Sequence, residues 1–306
     1  MVTLEVNPQK IHNNIEKGLD FILNHFIQNR LFPRTIMTKN LGYQKEVFSK
    51  EEAMKLFEES DFIDCRINAF PSFTDYKGIQ RYPPDFIFID LDKSNFNTDR
   101  SFELVLSNTL KNIGEKLEGD AYPSVLFTGN GYHIYQPVYC PTALENVTEF
   151  SKFTDKPSEQ FLRFAKDFLS NGIADKSHNP SFKSCLLRIP NSINSKNNTV
   201  VTIVQQWNGS RPTITRELLL DFRRDLIQKK IDEYNYRQKI FNIRNKNRNN
   251  SSYVHYYEWI DKKILTNPFS DYRKIIINLI LAPYLVVIKK LSYEECFQII
   301  NEWLQN

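Results

Sequence analysis

Apolar residues recur at three- and four-residue intervals over Pro8–Arg30 (Ile11, Ile15, Leu19, Ile22, Phe26), which predicts an amphipathic helix. Ser49, followed three residues later by Glu52, marks the start of a second helix over Lys50–Glu59. Strand patterns flank it at Phe32–Met37 and Arg66–Phe70. An apolar run at Asp85–Asp92, a helix near Arg100–Leu117 and two alternating runs around Gly129–Gly131 come next. A helix at Ser158–Asn171 and strands at Cys185–Ile189 and Thr199–Gln206 complete this part. Strands alternating with helices, with at least one hairpin, predict a mixed α/β sheet. Beyond it the pattern turns helical, at Ser252–Ile264, Tyr272–Val287 and Ser292–Gln305. Ser292 with Glu295 forms another capping box, and Pro283 is expected to kink the central helix. The fold class is therefore α/β (α+β): a mixed-sheet domain over 1–228, a segment over 229–252 and a small all-α bundle over 253–306.

Three segments carry candidate chemistry. Asp85–Asp92 reads DFIFIDLD, and residues two apart on a strand share a face, so Asp90 and Asp92 lie side by side. Two such carboxylates suit a divalent cation used in phosphoryl or nucleotidyl transfer. A strand running into a polar loop with both aspartates solvated fits the same pattern, and glycosyltransferases also use Asp-x-Asp. In the second segment, Val125–Phe127 leads into Thr128-Gly129-Asn130-Gly131 and then Tyr132–Tyr135. Asn-Gly between two alternating runs predicts a hairpin whose turn amides, with His133 nearby, can cradle a phosphate; a core histidine bonded to backbone is the alternative for His133. The third segment places Asp175 ahead of an apolar strand that delivers Arg188 before a Pro-Asn-Ser turn. Asp175 supplies a third carboxylate, and Arg188 a permanent planar cation for a triphosphate.

The net charge of +4 over 306 residues is small for a nucleic-acid binder, but it is unevenly spread. Residues 229–250 hold seven basic and two acidic side chains, interleaved with Tyr234, Tyr236 and Phe241. That composition suits a phosphate backbone with stacked bases, and equally a solvated linker, with disorder expected from about Asn242 to Ser252. No run of eighteen apolar residues occurs, and MVTLEVNPQK has no charged-then-apolar leader, so neither a membrane span nor a signal peptide is expected. Cys65, Cys140, Cys185 and Cys296 are far apart, which points to reduced thiols and away from a structural zinc knuckle.

Together, Phe88-Ile89-Asp90-Leu91-Asp92, Thr128-Gly129-Asn130-Gly131-Tyr132-His133, and Ala174-Asp175 with Leu186-Leu187-Arg188-Ile189-Pro190-Asn191-Ser192 resemble the motifs of the archaeo-eukaryotic primase superfamily, in that order. The resemblance spans roughly residues 30–215. It implies a template-directed nucleotidyltransferase, a DNA primase and polymerase, in which Asp90, Asp92 and Asp175 hold two Mg²⁺ or Mn²⁺ ions. Thr128, Gly129, Asn130, Gly131, His133 and Arg188 would bind the incoming NTP or dNTP. Asn194, where many relatives carry His, would be a weaker phosphate contact. Arg34, Lys39 and Arg66, as exposed basic groups, and Lys239 and Arg244 would meet a single-stranded DNA template. Asp271-Tyr272-Arg273 and the segment after it look like the helical domain of archaeal primase accessory subunits, making Tyr272 and Arg273 further template contacts. A replicative helicase or other replication proteins are the implied partners, in a cytoplasmic, nucleoid- or plasmid-associated setting. A nucleotide-sugar glycosyltransferase predicts neither the hairpin nor the basic stretch. A non-catalytic primase-like binding protein would lose a carboxylate, and all three are present.

Overall fold

The apolar stripe at the start of the chain forms helix α1 (Pro8–Leu23), which buries Ile15, Leu19 and Ile22 completely. The computed structural model describes residues 8–27, 31–74, 81–96, 98–249, 257–267, 269 and 271–305, with backbone alone at 8, 95 and 241–249. Strands β1 (Arg34–Met37) and β2 (Lys45–Val47) precede helix α2 (Lys50–Glu58). Ser49 caps that helix by accepting from the Glu52 N–H at 3.2 Å, and Glu52 reaches back to the Phe48 N–H at 2.8 Å. Strand β3 (Arg66–Pro71), strand β4 (Phe86–Asp92) and helix α3 (Asp99–Lys116) follow. Next are β5 (Leu117–Glu118), β6 (Ser124–Phe127), β7 (Gly131–Pro137), α4 (Thr148–Ser151) and α5 (Pro157–Leu169). Short strands β8 (Leu186–Arg188), β9 (Ile193–Asn194), β10 (Thr199–Val200), β11 (Thr202–Gln205) and β12 (Thr213–Ile214) lead to the long helix α6 (Arg216–Asn249).

The strands form two four-stranded sheets, ordered β2-β1-β3-β8 and β11-β6-β7-β4, with β9–β10 and β5–β12 as small pairs. Every neighbouring pair is antiparallel. Sequence alternation defines a strand locally but not its partner, so the division into two sheets is a tertiary outcome. The expected strand Thr199–Gln206 breaks at Val201. That residue is fully buried, its N–H donates to the Ser192 carbonyl, and the chain changes partner from β9 to β6.

Strand β4 shows why the sequence there is apolar on both faces. Phe86 and Phe88 pack with Leu126, Tyr135 and residues of the first sheet, α1 and α2. Ile87, Ile89 and Leu91 pack the other way, with α3, α5 and the start of α6. Each side chain so buried contributes about 2 kcal/mol. Asp90 and Asp92 therefore continue the Phe86–Phe88 face, where the first core gives way to polar groups.

The chain divides into two units, Met1–Lys230 and Ile231–Asn306. The basic stretch expected as a linker is helical through Asn249 as part of α6. Acid-before-base pairs at four-residue spacing support the helix: Asp225 to Lys229 at 2.7 Å and Glu233 to Arg237 at 2.6 Å. The second unit is helical, with Ile260–Leu265, a middle helix over 273–288 and Tyr293–Gln305 packed around Leu281, Tyr284, Leu285, Cys296 and Trp303. On either side of Pro283 the middle helix widens into π turns, at Ile277–Leu281 and Tyr284–Ile288; proline lacks an N–H and crowds the preceding turn, which fits the first of them. Ser292 and Glu295 cap the last helix reciprocally, at 2.8 and 3.3 Å. The expected helix start at Ser252 lies outside the described residues.

Candidate active site

The β4–β7 register sets Asp90 opposite His133 and Asp92 opposite Gly131. A Cβ at Gly131 would collide with the Leu91 carbonyl, so glycine is what lets the two strands stay paired up to the second aspartate. Gly129 has φ +84° and abuts Asn197 and Thr199, which makes it glycine for both reasons. Asp92 accepts from the Ser94 N–H at 2.8 Å and from Asn130 Nδ2 at 3.1 Å. Asn130, expected in a phosphate cradle, thus orients a carboxylate. Thr128 is buried and shapes the turn through the Gly131 carbonyl, while Asn194 donates to the Thr128 carbonyl at 2.7 Å. Both groups are engaged in holding the hairpin.

Asp90 lies deeper. Burial raises its carboxyl to about 6; Asp175 and Asp92 push the same way, against His178 and Arg188. Asp175 is tied to β4 through its N–H, which donates to the Asp90 carbonyl at 2.8 Å. Burial works against ionisation of the Asp175 carboxylate, but the Ser177 N–H and hydroxyl at 2.9 and 2.6 Å overcome it and hold its pKa below the usual range. The loop carrying Asp175 is gripped by one face of α5. Glu159 accepts from the Phe182 N–H, Arg163 donates to the Pro180 carbonyl, and buried Lys166 donates to the carbonyls of Asp175 and His178 at 3.0 and 2.7 Å. The spacing of these three residues follows the helical repeat. His178 packs against Phe88 with the rings tilted at 58° and their centroids 4.2 Å apart, its Nε2 is buried without a hydrogen-bond partner, and burial lowers its pKa to about 4.

His133 is buried and neutral, because desolvation and the nearby Arg188 and Arg66 drive its pKa well below 6.5. The Arg188 N–H donates to the Tyr135 oxygen at 3.1 Å, and the Tyr135 hydroxyl is hydrogen-bonded to His133 Nδ1 at 3.0 Å. His133 Nε2 lies 3.6 Å from Asp90 Oδ1, beyond hydrogen-bond distance. This relay joins β8 and β7. Tyr135→Phe removes its centre and strands buried polar groups on both sides. Unfolding in urea is expected to show a loss of about 1–3 kcal/mol; an unchanged midpoint would mean that the relay does not form.

The basic residues separate into distinct environments. Arg188 and Arg66 face the acidic group from β8 and β3 and share Asp64 as counterion, at 2.8 and 3.6 Å. Arg34, expected among the exposed cations, is 1% exposed: it donates to the Leu31 and Asn68 carbonyls and lies over the Phe26 ring. A guanidinium so enclosed cannot reach a template. In the second unit, Lys239 and Tyr272 are exposed, while Arg273 donates to the carbonyls of Phe269 and Leu304. The side chain of Arg244 lies outside the described residues. Sequence reasoning missed Asp64, Tyr135, Lys166, His178 and Ser195. Only His178 carried a signal, three residues after Asp175. Among the described residues, no three His, Cys, Asp or Glu side chains converge into a preformed metal cage, and no helix is long and apolar enough to cross a membrane.

Residues 257–306 match the family model described as Primase X. That match falls on the segment likened above to primase accessory subunits and does not reach the carboxylates. No protein of curated function matches the chain. Among solved structures, that of primase RepB′ is similar at a TM-score of 0.42 and 14% identity, covering 95% of this chain and 86% of that one. The AEP domain of the cyanophage S-2L primase-polymerase is similar at a TM-score of 0.40 and 11% identity, covering 68% of this chain and 96% of that one. Likenesses at these scores carry no weight for activity.

Proposed function

We propose that the chain is a template-directed nucleotidyltransferase that makes primers and extends them on single-stranded DNA. The observation that carries the reading is a group of carboxylates beside a group of guanidiniums: Asp90, Asp92 and Asp175 with Arg66 and Arg188, near enough that Arg188 opposes the burial-driven rise of the Asp90 carboxyl and Asp90 opposes the burial-driven fall at Arg66. A triphosphate bound through divalent cations needs both groups.

The donor set fits Mg²⁺ or Mn²⁺. All three groups are hard oxygen donors, and the Asp90 carboxyl, raised by burial and by its acidic neighbours, is only partly offset by His178 and Arg188. Mg²⁺ keeps several waters and uses one or two carboxylates with substrate phosphates, so it does not call for a complete protein cage. Asp90, Asp92 and Asp175 would hold the ions, which supply a lowered pKa at the 3′-hydroxyl and charge stabilisation as pyrophosphate leaves. Arg188 and Arg66 orient the phosphates. His133, neutral and held by Tyr135, stands opposite Asp90 across the β4–β7 pairing, while Thr128, Asn130 and Asn194 shape the turn beside it. Template contacts fall to Lys239, Arg244, Tyr272 and Arg273, consistent with their basic and aromatic character.

The test is incorporation of labelled nucleotide on single-stranded DNA with Mg²⁺ or Mn²⁺, set against release of nucleoside diphosphate from nucleotide sugars. Metal-dependent incorporation without diphosphate release is expected. Failure with both ribo- and deoxyribonucleotides would overturn the reading.

A further inference from the structure

Arg66 and Arg188 stand directly opposite each other in the antiparallel β3–β8 register. Like charges at such a position destabilise a sheet, and with side chains only 26% and 8% exposed, water screens them weakly. One carboxylate answers both. Asp64 Oδ1 lies 2.8 Å from Arg188 Nη1 and 3.6 Å from Arg66 Nη2. Ser195 fixes that carboxylate, donating its N–H at 3.4 Å and also its hydroxyl.

The backbone around Asp64 is unusual as well. Asp61, Phe62 and Asp64 have φ of 50°, 57° and 53°, three left-handed non-glycine residues within four positions. Such conformations cost free energy and persist only where surrounding contacts impose them. Here the Asp64 N–H donates to the Ile193 carbonyl at 2.8 Å, and the Ile193 N–H donates to the Phe62 carbonyl at 3.0 Å. The strain and the strapping together deliver one carboxylate to one place.

We propose that Asp64 is a positioning residue for nucleotide phosphates: it holds the Arg66 and Arg188 guanidiniums in register, so that their remaining donors meet the triphosphate. The proposal rests on the nucleotidyltransferase reading of the site. A guanidinium has five donors in a rigid fork, and Asp64 engages Arg188 through Nη1, which leaves the fork oriented. Two cations sharing one anion retain one positive charge, which the triphosphate neutralises.

Asp64→Asn tests this: Asn accepts a left-handed backbone as readily as Asp, and it removes the charge while turning one of the two acceptor oxygens used by Arg188 and Ser195 into an amide donor. Affinity for ATP or dATP, read by titration calorimetry, is expected to hold or tighten, since the site becomes more positive. The kcat for primer extension is expected to fall about 10- to 100-fold, because misaligned phosphates miss the reactive geometry. Ser195→Ala loosens the same carboxylate without touching a charge and should lower kcat in the same direction, by less; it carries the comparison if the Asn variant does not fold. An active wild type matched in kcat by these variants overturns the proposal alone, as does a loss of affinity in proportion to kcat. A wild type that adds no nucleotide overturns the underlying reading and the proposal with it.

Discussion

Replacing Asp90 and Asp92 with Asn is expected to lower nucleotide addition by at least about a thousandfold, or ~4 kcal/mol of barrier, with single-stranded DNA binding largely kept. Substantial synthesis by the double variant would remove the carboxylates from the mechanism. The same change should also stabilise the fold above neutral pH. Burial, reinforced by Asp175 and Asp92, raises the Asp90 carboxyl from 3.8 to about 6. The folded chain therefore holds that proton more tightly than the unfolded chain does. Stability from this group declines as pH rises from the ordinary carboxyl range through about 6, and the deficit is complete above it, at about 3 kcal/mol. Asn carries no such deficit. In thermal melts Asp90→Asn should be more stable than wild type at pH 8 and match it near pH 4. Mn²⁺ should then raise the wild-type Tm and leave that of the double variant unmoved. A variant that melts below wild type at pH 8 would mean that the Asp90 charge is compensated within the protein.

Ending the chain after Lys230 is expected to separate two activities. The first unit keeps the three carboxylates, the Thr128–Gly131 turn, both arginines and its own two cores. Extension of a supplied primer should therefore survive. The second unit carries the Primase X match together with exposed Lys239 and Tyr272. Starting a chain de novo has no primer duplex to hold the first nucleotide, so positioning falls on protein contacts, and initiation should drop by about 100-fold. The salt dependence of template binding should weaken in the shortened chain, since fewer counterions are released. The measurement compares primer synthesis with primer extension for both chains at matched salt. Equal loss of the two activities, or loss of neither, would defeat this division of labour.

What the sequence determined by itself was local. The alternation in Phe86–Asp92 identified β4 and placed Asp90 beside Asp92, because successive side chains on any strand point to opposite faces. Ser49 with Glu52 and Ser292 with Glu295 located two helix starts, because a cap satisfies N–H groups within three residues of itself. The hairpin was legible in Thr128–Gly131 for the same reason. Asn-rich composition misled over 242–249, where α6 continues with paired charges over its earlier turns. Tertiary structure alone decided which strands became neighbours, and with them the electrostatics of the site. Arg34 and Arg66 look alike in the sequence, yet one is enclosed against the Phe26 ring and the other faces Asp64. Asp64 meets Arg188 across 124 positions, and no periodicity reports a partner so distant. Which charge is buried, paired or left uncompensated depends on what folding brings against it, and that is settled by long-range juxtapositions that no local pattern encodes.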